Sequence, residues 1–447
     1  DNTAIGYQAL LYPSGNYNIA VGRHALKGAS AGTVTAYNNV AIGKESMVSA
    51  TTANLNVALG YFSLYNSTTA AQNVVIGANA GDSVTTAQRN ILIGYYAGGS
   101  GRTDANNGIY IGGYAGQQSN SVGTVAIGHN ASYNVDGDYN VFVGYGAGTG
   151  DASTTTATNN VGIGRDALNK ISSGTYNVAM GSYAGDGVTT GHSNVFMGYR
   201  AGKTNTTYTG NVYIGMEAGY ANEMNLNTFI GNLAGRYATG VTKSVYIGSQ
   251  AGGEAASTGD YNTFVGVTAG YGITTGYQNV GMGIDALRNV QDGYDNVALG
   301  SQALDSVTSG HQNIGIGVSG GATLSSGYLN TFVGAFAGLD STTGIWNTFI
   351  GAYAGTGNTS GKHNVSVGFG SLQENQEGDF NVAIGRYALY NTNPADATGE
   401  NVAVGDRAGY TNTTGIRNVF VGHKAGYAST TASNNIFIGR EAGVANT

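Results

Sequence analysis

Along the whole chain a short apolar run recurs in a fixed polar frame: Asn, a β-branched residue, a small or aromatic apolar residue, an aliphatic residue or Met, then Gly. The frame falls at Asn39, Asn56, Asn73 and Asn90, and again at Asn279, Asn296, Asn313, Asn330, Asn347, Asn364 and Asn381, always seventeen residues apart. From Asn2 to Asn435 there are twenty-six copies, in three of which Gly108, Thr124 or Ser244 replaces the Asn. Longer spacings, from Asn18 to Asn39, Asn140 to Asn160 and Asn381 to Asn401, add residues only to the polar stretch between motifs, as expected of loop insertions. A fixed short period predicts a solenoid, with each copy one coil stacked on the next.

Within the frame, the β-branched residue after the Asn (Ile19, Val40, Val74, Thr228, Val297, Ile436) predicts a strand. It shares one strand face with the aliphatic residue two positions on (Val21, Ile42, Met180, Ile316, Ile438), and that face is expected to line the coil interior. The residue between them is then expected to point outward. It is apolar or aromatic in every copy but Ser366, through Ala126, Phe142, Gly162, Ala179, Phe196, Tyr213, Phe229 and Phe332, so this column predicts a second buried face, against another chain. The closing Gly marks a turn, the Ala usually found three residues later marks a narrow corner, and the Thr/Ser/Asn/Gly-rich remainder reads as an outward loop. The Asn column is expected to form a ladder of stacked amides. The fold class is therefore all-β, a parallel β-solenoid of about 26 coils with a 17-residue period, one continuous repeat region over 1–447. At ~4.8 Å per coil it predicts a rod of roughly 120 Å.

Composition removes several function classes. With 76 Gly but only 2 Pro the chain is no collagen, and the excess Gly serves turns. A net charge of −7 with scattered Lys and Arg offers no stripe for nucleic acid, and no apolar run reaches membrane-spanning length, so neither partner is expected. Cys is absent, which removes disulfides and thiolate metal sites. The first residues, Asp1-Asn2-Thr3-Ala4-Ile5-Gly6, already belong to the repeat, and the chain reads as a segment of a longer protein.

Asn-Val-Ala-Ile-Gly at Asn39–Gly43 and Asn381–Gly385, with a small residue three positions on, resembles the head repeats of YadA-like trimeric autotransporter adhesins. The longer form Asn2–Leu10, with Thr-Thr-Gly at Thr189–Gly191, is similar to repeats of phage tail-fibre proteins that end in a self-cleaving chaperone domain. The resemblance covers essentially the whole chain and implies a left-handed β-roll, a parallel homotrimer and an extracellular place on a virion fibre or cell surface. The period here is longer than that of the autotransporter heads.

No residue is assigned a catalytic, cofactor-binding or metal-binding role, and no enzyme activity, cofactor or metal is expected. The acidic pairs Asp136/Asp138 and Glu374/Glu377 and the histidines His24, His129, His192, His311, His363 and His423 lack the convergence that acid–base or metal chemistry needs, and read as solvated loop groups. Tyrosines after the turn Gly (Tyr7, Tyr61, Tyr95, Tyr145, Tyr199), or one residue further (Tyr96, Tyr114, Tyr183, Tyr353, Tyr387), suit either a glycan surface or packing, and packing is the expectation. Trp346 is expected to cover a neighbouring loop. The function expected is a structural and adhesive fibre shaft presenting a receptor-binding tip, with itself and a host glycan or protein receptor as partners. The alternatives are a self-assembling filament or surface layer and a glycan- or ice-binding solenoid, the last disfavoured for want of an exposed Thr array.

Overall fold

A computed structural model describes residues 1–447 apart from 13–14, 29–34, 101–103, 151–154, 254, 395–397 and 446–447. Every described copy of the frame forms a three-residue strand, and no helix occurs among the described residues. The chain divides into two compact units, Asp1–Asn225 and Leu226–Thr447. The first carries the strands from Thr3–Ile5 to Val212–Ile214, and the second those from Thr228–Ile230 to Ile436–Ile438. Within each unit neighbouring coils pair in parallel with like positions in register, as in Val161↔Val178, Gly162↔Ala179, Ile163↔Met180. The longer coils keep that register (Ile19↔Val40, Val141↔Val161, Val382↔Val402), so the added residues leave the strand stack undisturbed. All-β, parallel β-solenoid architecture is what the repeat predicts.

The coil from Asn279 to Asp295 stands for the rest. Asn279 is buried, the strand Val280–Met282 follows, and Gly283 turns the chain at φ 140°. Two further corners come at left-handed residues Asp285 (φ 56°) and Leu287 (φ 51°), with Ala286 and Leu287 pointing inward. The stretch read as a loop is the remaining wall of the coil: Val290 is fully buried, and Gln291 N–H donates to the Thr308 carbonyl of the next coil (3.1 Å). Asp295 makes the last left-handed corner at φ 54°. Hydroxyls also bind this wall along the stack, Thr308 Oγ1 to the Ser325 carbonyl (3.1 Å), Ser325 Oγ to Thr342 (3.0 Å) and Thr342 Oγ1 to Thr359 (3.0 Å). At Gly317, which has φ 125°, a Cβ would lie 2.6 Å from the Gly334 carbonyl oxygen of the next coil. Close approach and backbone angle together explain why Gly closes every frame.

The direction of the strand faces is the reverse of the expectation. The middle column is the core: Ala126, Phe142, Ala179, Phe196, Tyr213, Phe229 and Phe332 are all 0 % exposed, and Gly162 is buried. The flanking β-branched and aliphatic positions are half-buried or exposed in every described strand, as in Met282, Ile314, Ile350 and Ile384. The physical reason is parity. Asn279 and Gly281 lie two residues apart on one face, and the buried Asn amides bond across the coil interior, so the middle residue must follow them inward. Ser366, the polar exception, pairs inside with Ser371 Oγ at 2.6 Å.

Interior volume is shared between two positions of each coil, the middle strand residue and the left-handed residue four after the turn Gly. Where the first is aromatic (Phe142, Phe196, Phe229, Phe264, Phe332, Phe349, Phe420), the second is Gly (Gly148, Gly202, Gly235, Gly270, Gly338, Gly355, Gly426). Where the first is small (Ala20, Ala41, Ala58, Gly162, Gly281, Ala298, Ala383), the second is Leu26, Met47, Leu64, Leu168, Leu287, Leu304 or Leu389. Coils with two small residues are filled from their neighbours. A Cβ on Gly321, in the coil with Gly315, would meet Phe332 and Leu304 from either side. The interior is thus filled by exchange of bulk between positions, across coils of different sequence.

The Asn ladder exists and does more than link amides. Asn296 Oδ1 accepts from both the backbone N–H (3.1 Å) and Nδ2 (3.0 Å) of Asn313, and Asn313 Nδ2 also donates to the Gly327 carbonyl (2.9 Å). Ser244 keeps part of this role, its Oγ accepting the Asn262 N–H at 3.1 Å. Replacing Asn313 with Ala leaves buried donors and a carbonyl without partners, for an expected loss of about 2–4 kcal/mol. Asn313→Ser should recover part of that loss. Hydrogen exchange at the Asn330 amide, which donates to Asn313 Oδ1 (3.1 Å), reads both variants; equal protection in all three proteins would refute the ladder's energetic role.

Candidate interaction face

The outward strand positions make the most distinctive surface of each unit. Every coil contributes two side chains from Val, Ile, Thr, Leu and Met, and in-register pairing stacks them into two adjoining aliphatic columns. Exposure in the isolated chain is 46 % at Met282 and 40 % at Ile350 and Ile384, and rises to 61 % at Ile5 and 70 % at Ile436 in the first and last coils. In the second unit the residue after the turn Gly widens the face, with Val267, Ile284, Val318 and Phe369 all exposed. With strands ~4.8 Å apart and a face about 10 Å wide, thirteen strands present roughly 600 Å² of apolar sheet. That matches or exceeds the largest patch of a typical soluble monomer, roughly 300–600 Å².

Aromatic rings flank this face. Tyr277, Tyr294, His311 and Tyr328 stack over successive coils with centroids 5.0, 4.6 and 4.9 Å apart and planes within 10°. The run then passes edge-on to Trp346 and continues through His363 to Phe380. Trp346 is therefore a rung of an aromatic column, 45 % exposed. The tyrosines after the turn Gly pack between coils: Tyr95 meets Tyr96 and Tyr114 edge-on, and Tyr145 stacks on His129 at 5.4 Å. Tyr61 lies under the Lys44 ammonium and Tyr199 beside the Arg200 guanidinium. Stacked rings cover one another's faces, so within such a column only edges and phenol groups meet solvent.

The titratable groups are dispersed. Asp136 and Asp138 each accept a backbone N–H of the preceding coil, from Asn120 (2.8 Å) and Val122 (2.7 Å), and Glu374 and Glu377 are exposed. His24 lies 3.8 Å from Glu45 and His423 3.6 Å from Asp406, while His192 contacts Ser193. The Arg386 hydrogen bond holds the Asp406 carboxyl below the usual carboxylate range; burial pushes Asp82, Asp186 and Asp305 above it. Burial also raises the phenol of Tyr246, in the coil where Ser244 interrupts the ladder. Among the described residues no three His, Asp or Glu side chains are grouped to hold a metal ion, and no helix is long and apolar enough to cross a membrane.

The histidine stacking and the outward aliphatic face were both missed from the sequence. The first had a signal, since His311 and His363 occupy slots that hold Tyr, Trp or Phe in neighbouring copies. Comparison with protein-family models finds no match, and comparison with curated proteins finds none either.

Proposed function

We propose that this chain is a structural segment of an extracellular fibre, a shaft that assembles as a parallel homo-oligomer through its aliphatic sheet face and presents a receptor-binding tip. The observation that carries the reading is the pair of outward Val/Ile columns, too long and regular an apolar surface for a chain that stays alone in water. A second copy of the same chain matches it coil for coil, because the repeat spacing is identical. Three copies around one axis bury all three faces at once, and three is the number in the autotransporter heads that the repeat resembles. Ice binding is not favoured, since Thr stands only sporadically in the outward columns and wall hydroxyls such as that of Thr308 are spent along the stack.

Analytical ultracentrifugation of the purified segment tests the assembly. A mass of three chains is expected at micromolar concentration, and a single-chain mass throughout would overturn the proposal.

A further inference from the structure

The ring column that begins at Tyr277 has Asp260 two residues before the Asn of the preceding coil, and Tyr261, in the slot beside it, lies against Lys243 and does not stack on Tyr277. Tyr277 has one face against Tyr294, the planes parallel within 1°, and remains 41 % exposed. Its other side borders a cavity of about 310 Å³ lined by Thr258, Asp260, Tyr261, Thr275, Tyr277 and Gln278. That volume lies at the small end of ligand pockets, roughly 300–1,000 Å³. Asp260 Oδ1 accepts the Thr242 N–H of the coil before (2.8 Å), which ties the carboxylate to one side of the vacant rung. The Lys243 ammonium sits 5.3 Å from the centroid of the Tyr261 ring.

We infer that this vacant rung is a binding subsite for one uncharged pyranose residue of a glycan, seated on the free face of Tyr277 in the place of the missing ring. The chemistry of the lining selects this class. An aromatic face is electron-rich and attracts the C–H edge of a sugar ring, while the carboxylate, amide and two hydroxyls around it suit a ring bearing several hydroxyl groups. An anionic ligand meets Asp260, no Lys or Arg lines the cavity, and Lys243 lies against Tyr261. Tyr294 and His311 have a ring stacked on both faces, whereas Tyr277 has one face left and a cavity beside it, which is why this end of the stack is the site.

Saturation-transfer NMR on the whole segment tests this with the methyl β-glycosides of glucose, galactose and N-acetylglucosamine, and adenosine as a flat aromatic control. At least one glycoside should receive saturation on its ring C–H protons. Tyr277→Phe should keep that signal, and Tyr277→Ala should weaken binding about tenfold, the loss of one stacking contact. Asp260→Ala should also weaken it. Tyr277 is a surface residue, so an unchanged melting temperature identifies the loss as one of binding. No transfer to any of the three glycosides, equal transfer to Tyr277→Ala, or binding of adenosine alone would overturn the inference. Assembly is read separately as mass, so either proposal can fail without the other.

Discussion

Phe349→Ala and Gly355→Leu should each destabilise the second unit strongly, and the two together should restore most of the loss. Phe349 is fully buried beside Phe332, with ring centroids 5.5 Å apart, and its removal leaves a cavity in the core, at an expected cost of about 3–5 kcal/mol. Gly355 has φ 57°, and a Cβ there would lie 2.5 Å from the Phe349 ring. Leu at that position therefore overpacks the coil for about 1–3 kcal/mol, with a left-handed backbone penalty of about 1–2 kcal/mol added. The double variant recreates the Ala298/Leu304 arrangement found three coils earlier, in which Leu304 sits at φ 49° and is fully buried. A coupling of about 2–3 kcal/mol is expected from a double-mutant cycle in denaturant. Additive losses would mean that the two positions do not share one space.

The repeat unit, strand location and turn Gly were legible because each depends on local chemistry recurring at a fixed period. The amide ladder was legible for the same reason. The direction of the strand faces was misread, although the information was present. The ladder Asn and the middle residue have the same parity, so burying one buries the other, whereas apolarity alone cannot orient a strand that is apolar on both sides. The exchange of bulk between Phe142 and Gly148, or Ala298 and Leu304, marks two interior positions facing each other. It is visible as a correlation within coils, which column-by-column reading does not detect. The aromatic column was hidden for a different reason. Its rings shift from two residues before the Asn (Tyr277, Tyr294, His311, Tyr328) to one before it (Trp346, His363, Phe380), and only coordinates show that the shifted rings still meet.

Corrected strand orientation separates folding from assembly, and Asp substitutions on the two faces should behave oppositely. Phe229→Asp and Phe332→Asp place carboxylates in a core where the native side chains are 0 % exposed, so loss of the surrounding coils is expected, at more than about 4 kcal/mol each. Met282→Asp and Ile350→Asp stand on the outward face, where the native side chains are 46 % and 40 % exposed. In a single chain they should change coil stability by about 1 kcal/mol or less, because water already reaches both sites. In an assembly that buries this face they would bring several carboxylates together out of water, a penalty the apolar contact cannot offset. The outward double variant should therefore keep the β-rich circular dichroism of the parent and sediment as one chain, while the inward variants lose structure or aggregate. Retention of the parent mass by Met282→Asp/Ile350→Asp would place the contact between chains on some other surface. Loss of fold in that variant would mean that the aliphatic columns are needed within the coil itself, contrary to the side-chain directions described above.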